Sequence, residues 1–189
     1  YGAGMATQAG DGLLTFAFQL LSEQKQIAPD IRVELISLLA RAAGPEGMVG
    51  GQAHDIEAEG KHLTLSELKI LDACKTGCLL SAPVSMACAV AGTALKDRVL
   101  LENFAAHLGL LFQITDDLLD EKGNLEDMGK MPGQDEKDHK STFVTILGVE
   151  EAEKYAEEEG ALAKEALAKL PFDSTILYEL TDLLLHRKK

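Results

Sequence analysis

The sequence predicts an all-α fold, on three observations. Ala and Leu abound while Pro is sparse, at 5 in 189 residues. Aromatic content is 5% with no Trp, a composition that favours helix over a β-rich core. Apolar residues recur at helical spacing, and no segment alternates as a half-buried strand does. With 46% hydrophobic residues the chain can bury one substantial core but is short for two. A single domain over residues 1–189 is expected.

The first helix is predicted from about Ala3 to Glu23. Met5, Leu13, Leu14, Phe16, Ala17, Leu20 and Leu21 form an apolar set too wide for a surface helix, which makes this a central one. Gln26 to Pro29 breaks the chain, and Pro29 followed by Asp30 starts a helix to about Ala43, with Leu35, Leu38 and Leu39 inward. Gly44 and Pro45 stop it. The next segment, Glu46 to Glu59, holds Gly47, Gly50 and Gly51. Each costs about 1 kcal/mol in a helix interior, which points to close approach by another element or a ligand.

Within that segment Gln52 and Asp55 stand side by side, three residues apart. They either face a ligand cavity or cap a surface turn. Thr64-Leu65-Ser66-Glu67 is a capping box. The long helix it starts runs through Lys75-Thr76-Gly77 to Pro83 and beyond, with Gly77 and Pro83 as places for a bend. Lys75 is the only cation between Lys69 and Lys96. It is read either as the partner of a buried anion or as a snorkelling side chain.

Lys96 to Glu121 is the most informative helix. At about 100° per residue, Gln113, Asp116, Asp117 and Asp120 share one polar arc, and Leu111, Phe112, Ile114, Leu118 and Leu119 cover the rest. Carboxylates on a helix built for burial require a cation, and oxygen ligands of this kind suit Mg²⁺ bound together with a phosphate-bearing substrate. The competing reading is the solvated end of an amphipathic helix. A polar loop from Gly123 to Lys140 has the length of a lid or binding loop. Beyond Ser141, shorter helices pack back, one of them Glu/Ala/Lys-rich from about Glu150 to Leu170 with charged pairs along its outer face. The terminal His186-Arg187-Lys188-Lys189 suits a helix C-terminus.

The formal charge of −13 argues against a nucleic-acid footprint. No apolar run of about 18 residues and no charged leader is evident, so membrane insertion is not expected and a cytoplasmic location is. Cys74, Cys78 and Cys88 read as small buried thiols rather than a disulfide or zinc framework.

Taken together, these stretches resemble the trans-isoprenyl diphosphate synthases of the farnesyl or geranylgeranyl type. The resemblance rests on Tyr1-Gly2 through Ala9-Gly10-Asp11-Gly12, Gly51-Gln52 with Asp55, Lys75-Thr76-Gly77, and Phe112-Gln113 with Asp116-Asp117-Leu118-Leu119-Asp120. Gly129-Lys130, Gly133, Asp135, Lys140 and Thr142 extend it. It implies a helical bundle around a deep central cavity, with two aspartate-rich motifs facing each other across Mg²⁺, or Mn²⁺ in its place, and an allylic diphosphate.

On that resemblance Asp116, Asp117 and Asp120 are the second motif and, with Asp55, the metal-binding residues. Lys75, Lys130 and Lys140 bind diphosphate, Gln52 lines the cavity, and Thr76 and Gln113 stabilise a carbocation. The implied activity condenses dimethylallyl or geranyl diphosphate with isopentenyl diphosphate. The implied assembly is a homodimer, with Met5, Phe16 and Phe18 as candidate interface residues. The first aspartate-rich motif is expected upstream of Tyr1, with the N-terminal helices that carry it. Little condensation is therefore expected of residues 1–189 alone. Two alternatives stay open: a non-catalytic partner subunit or inactive fragment, and an acidic helical interaction protein without a cavity.

Overall fold

The computed structural model describes residues 2–122 and 140–187. Helices α1 (Ala3–Ser22), α2 (Pro29–Ala43), α3 (Met48–Ala58) and α4 (Leu65–Asp72) come first. A π turn at Ala73–Gly77 joins α4 to α5 (Cys78–Ala91), and α6 (Leu95–Lys122), α7 (Phe143–Leu147), α8 (Val149–Ala168) and α9 (Thr175–Leu185) follow. Among the described residues there is no strand, as composition predicts.

The 28-residue α6 is the axis of the bundle. One side meets α8, whose small residues Ala152, Ala156 and Ala163 are fully or almost fully buried and let the two helices close. Two apolar clusters lie along this contact. Leu111, Ile114, Phe143 and Leu68 fill one; Phe104, Leu108, Ala163 and Leu167 fill the other. The other side of α6 meets α5 and the π turn. The outer face of α8 carries the anticipated charged pairs, such as Lys169 to Glu165 at 2.8 Å.

Sequence signals at the helix ends are realised. Pro29 occupies the first turn of α2. At α4 the Thr64 hydroxyl accepts the Glu67 N–H while the Glu67 carboxylate accepts the Thr64 N–H at 2.8 Å, a complete capping box. Gly92 ends α5 in the left-handed region, at φ 61°.

The first helix departs from expectation. It packs on α2 but buries none of its residues, and Met5, Leu13, Phe16 and Leu20 are exposed. Its breadth of apolar surface was legible; its burial as a central helix is not realised among the described residues. Contrary to the expectation of no such run, Leu65–Ala91 is long and apolar enough to cross a membrane by length and composition. Here it is a bundle helix, with Lys75 paired to Asp55 of α3.

Candidate active site

The site is built where α3 crosses the π turn. Gly51 sits directly against that turn: a Cβ placed on it lies 2.5 Å from the Lys75 Cα and 2.8 Å from the Cys74 carbonyl carbon. On the opposite side, a Cβ on Gly109 of α6 lies 3.2 Å from the Gly77 Cα. The turn that presents Lys75 and Thr76 is thus clamped between two glycine contacts. This is the close approach that the glycines of the third helical segment foretold. π turns widen the helix locally and recur at functional sites.

The Lys75 ammonium reaches across to Asp55, Nζ to Oδ2, at 2.8 Å. Lys140 approaches the same oxygen at 3.4 Å. Burial alone raises the Asp55 pKa, but the hydrogen bond and charge of Lys75, with help from Lys140, outweigh it and leave the carboxyl below its ordinary value. The residues between α3 and α6 enclose a small cavity of ≈ 50 Å³, lined in part by Asp55, Asp72, Lys75, Gln113, Asp117 and Lys140. The segment carrying Lys140 is stapled in place: the Leu63 N–H donates to the Ser141 hydroxyl at 3.0 Å, and that hydroxyl donates to the Lys61 carbonyl at 3.3 Å.

A second set of bonds ties the π turn to the acidic stripe. The Thr76 hydroxyl donates to Gln113 Oε1 at 3.2 Å, and Gln113 Nε2 donates to Asp117 Oδ1 at 3.1 Å. Asp117 Oδ2 accepts the Phe143 backbone N–H at 2.7 Å, at the start of α7. Asp117 is therefore a buried crosslink between α6 and α7. Asp120 is buried on the same helix. Asp116 is 44% exposed and meets Arg187 at 3.2 Å.

One residue of the site was missed from the sequence. Asp72 is buried one turn before Lys75, and its Oδ2 finds no hydrogen-bond partner among the described residues. Burial, with the charges of Asp117 and Asp55 behind it and Lys75 opposing, pushes its pKa up to about 7. The signal was available: an acid at i−3 from a lone lysine, in an apolar run, shares its helix face.

The other candidate residues divide as follows. Lys75, Thr76, Gln113, Asp117, Asp55 and Lys140 converge on the cavity or on the bonds beside it. Gln52 is exposed on α3 and lies outside the cavity lining, so of the adjacent pair only Asp55 faces inward. Lys130, Gly129, Gly133 and Asp135 lie outside the described residues.

No group of three Asp, Glu, His or Cys side chains is close enough to cage an ion among the described residues. That arrangement still suits Mg²⁺, which characteristically takes one or two carboxylates and completes its shell with water and substrate phosphate. Asp116 and Asp120 stand one turn apart on α6, the first 44% exposed and the second buried.

Comparison with known proteins agrees with this architecture. Geranyltransferase from Helicobacter pylori, solved with magnesium and isoprenyl diphosphate, superposes with a TM-score of 0.83 at 34% identity, over 98% of this chain and 60% of that one. Geranylgeranyl pyrophosphate synthetase from Geoglobus acetivorans gives 0.83 at 28% identity, over 99% and 68%. The fold is that of the helical isoprenyl diphosphate synthases. Residues 1–174 match the polyprenyl synthetase family model, and the chain belongs to that family.

Among curated relatives, farnesyl diphosphate synthase of Geobacillus stearothermophilus is 49% identical over 151 residues, 79% of this chain. That of Bacillus subtilis is 38% identical over 189 residues, 99% of this chain. The chain spans 51% and 64% of these two relatives' lengths.

Proposed function

We infer that the protein acts as a Mg²⁺-dependent trans-prenyltransferase, joining dimethylallyl or geranyl diphosphate to isopentenyl diphosphate to give a short-chain prenyl diphosphate. The observation that carries this reading is the cavity between α3 and α6, where Lys75, Lys140 and Asp55 meet the amide and carboxylate of α6. Names of the relatives point the same way, and the Helicobacter protein was solved with magnesium and isoprenyl diphosphate. A cytoplasmic homodimer is the matching assembly, with Mn²⁺ able to replace Mg²⁺.

Bound Mg²⁺ supplies charge neutralisation of the diphosphate as the allylic C–O bond ionises. The chain's own residues do the rest. Lys75 and Lys140 are point charges for phosphate oxygens, now held on Asp55 and released to the diphosphate when it enters. Asp116 and Asp120 would hold the metal, and Lys130, outside the described residues, is assigned as a further phosphate contact. Asp117, with both oxygens engaged by protein donors, holds the metal-binding helix in register. Thr76 and Gln113 orient their oxygen dipoles beside the π turn, where an allylic cation gains from negative ends and no nucleophile. The apolar flanks of the bundle keep water from quenching the cation. Loss of a proton from the condensed product, taken by the departing diphosphate, closes the reaction.

Two measurements test this. Calorimetry with inorganic pyrophosphate is expected to give binding only when Mg²⁺ is present. Residues 1–189 span 51% and 64% of the two curated relatives' lengths, and incubation of this chain with geranyl diphosphate and labelled isopentenyl diphosphate is expected to yield little C15 product. Mg²⁺-dependent binding supports the diphosphate site; Mg²⁺-independent binding, or none, rejects the reading, and abundant C15 product contradicts the expectation of little condensation.

A further inference from the structure

Arg187 follows the last turn of α9 and reaches back to one turn of α6. Its Nη2 donates to Asp116 Oδ1 at 3.2 Å and to the Phe112 carbonyl at 3.1 Å. Its Nε donates to the Thr115 hydroxyl at 3.2 Å, and its guanidinium carbon lies 4.4 Å from the centroid of the Phe112 ring. The Thr115 hydroxyl is within donating distance of the Leu111 and Phe112 carbonyls, which leaves its oxygen free to accept from Arg187. The planar fork and its stacking face are both used, which a lysine at this place cannot reproduce.

The helix delivering this arginine is itself fixed. Thr181 is fully buried, Leu184 and Leu185 pack against the α6–α8 clusters, and the Tyr178 hydroxyl donates to the Lys164 carbonyl at 3.2 Å. Arg187 is 15% exposed, whereas Asp116 remains 44% exposed. The guanidinium thus holds one carboxylate oxygen while the carboxylate stays reachable from solvent. It also places a positive charge beside a stripe of three acids on one helix, offsetting their mutual repulsion before any cation arrives.

We propose that Arg187 is a positioning residue for the acidic stripe: it presets the Asp116 carboxylate for Mg²⁺ and so makes the last described helix part of the diphosphate site. This rests on the reading of α6 as a Mg²⁺-diphosphate helix. A plain structural staple would lower thermal stability when removed and leave metal dependence untouched. A positioning residue shifts the metal dependence itself.

The test is calorimetric titration of the full chain with Mg²⁺ at fixed inorganic pyrophosphate. Arg187→Gln is expected to raise the half-saturating Mg²⁺ concentration roughly tenfold, the worth of one charge-assisted hydrogen bond. Arg187→Lys is expected to recover part of that loss, and the surface variant Lys169→Gln none of it. If Arg187→Gln fails to fold, Thr115→Val and Phe112→Leu remove the other ends of the grip and are expected to shift the midpoint by about threefold. Folded variants with an unchanged midpoint overturn the proposal, whatever happens to their melting temperatures. A wild-type chain that binds no pyrophosphate with Mg²⁺ overturns the functional reading, and this proposal with it; normal wild-type binding matched by the Arg187 variants overturns this proposal alone.

Discussion

Asp117 Oδ2 lies 2.7 Å from the backbone nitrogen of Phe143, so an acid of the motif-bearing helix caps the first turn of a helix 26 residues further along the chain. Its other oxygen accepts from Gln113, and Gln113 in turn accepts from Thr76. One carboxylate therefore fixes the relative positions of the π turn, α6 and α7. The consequence is a contrast within the aspartate stripe: both Asp117 oxygens accept from protein donors, whereas Asp116 is 44% exposed.

Removing that carboxylate is costly even without ligand. Asp117→Ala leaves the Phe143 N–H without its buried acceptor and Gln113 without its anchor, and is expected to destabilise the fold by about 2–4 kcal/mol. Urea denaturation in metal-free buffer measures it. A loss no larger than that of an exposed Glu165→Ala control contradicts the assignment.

Asp72 gives stability a pH slope of defined sign. Its folded pKa of about 7 lies above the ordinary value of 3.8, so the folded state binds the proton more tightly than the unfolded chain does. This contribution is complete below pH 4 and is lost as pH rises to about 7, at about 1.4 kcal/mol per unit of pKa difference. Asp72→Asn keeps a neutral polar group and removes the slope. Measured in EDTA, the variant is expected to gain on the wild type between pH 4 and pH 7.5; parallel curves refute the shift. Asp55 acts in the opposite sense, since its lowered pKa stabilises the fold above about pH 4 and that contribution disappears in acid.

Gly51→Ala drives a methyl into the backbone of the π turn, where the contacts are Lys75 and Cys74 main-chain atoms with no rotamer to yield. Overpacking of this kind costs about 2–3 kcal/mol, more than the gain in helix propensity returns. A fall in melting temperature of roughly 5–10 °C is expected. Gly160→Ala, which meets only Leu111 and Leu185 side-chain carbons at 3.6 Å or more, is the tolerated control.

Lys75→Met and Lys140→Met separate the two lysines on Asp55. Lys75, at 2.8 Å, forms the tighter pair, and its loss is expected to weaken Mg²⁺-dependent pyrophosphate binding by roughly tenfold or more. Lys140, at 3.4 Å, is expected to have the smaller effect. Unchanged affinity in Lys75→Met would remove that residue from the site.

The sequence made the helices, the capping box at Thr64 and the glycine-dependent approach at Gly51 legible, because each is a local signal of spacing or backbone freedom. Lys75 as the partner of a hidden anion was readable from its isolation among apolar residues. What stayed illegible depends on distant packing. Gly77 marks a place for a bend but does not say that the bend is a π turn, which lies where α3 and α6 approach it from either side. Gln52 and Asp55 are equal candidates by spacing, and only the rotation of α3 decides between them. Arg187 reads locally as a cation suited to a helix end, while its partners are 71 to 75 residues away.

A π turn carries one more residue than the α-helical path it replaces. Everything from Cys78 onward is consequently set back in phase by about 100° against the count kept from Leu65. Heptad or wheel arithmetic run straight through Lys75 will mis-assign the inner face of one half, and deleting any single residue between Ala73 and Gly77 would mend the helix while retracting the two side chains it exists to display.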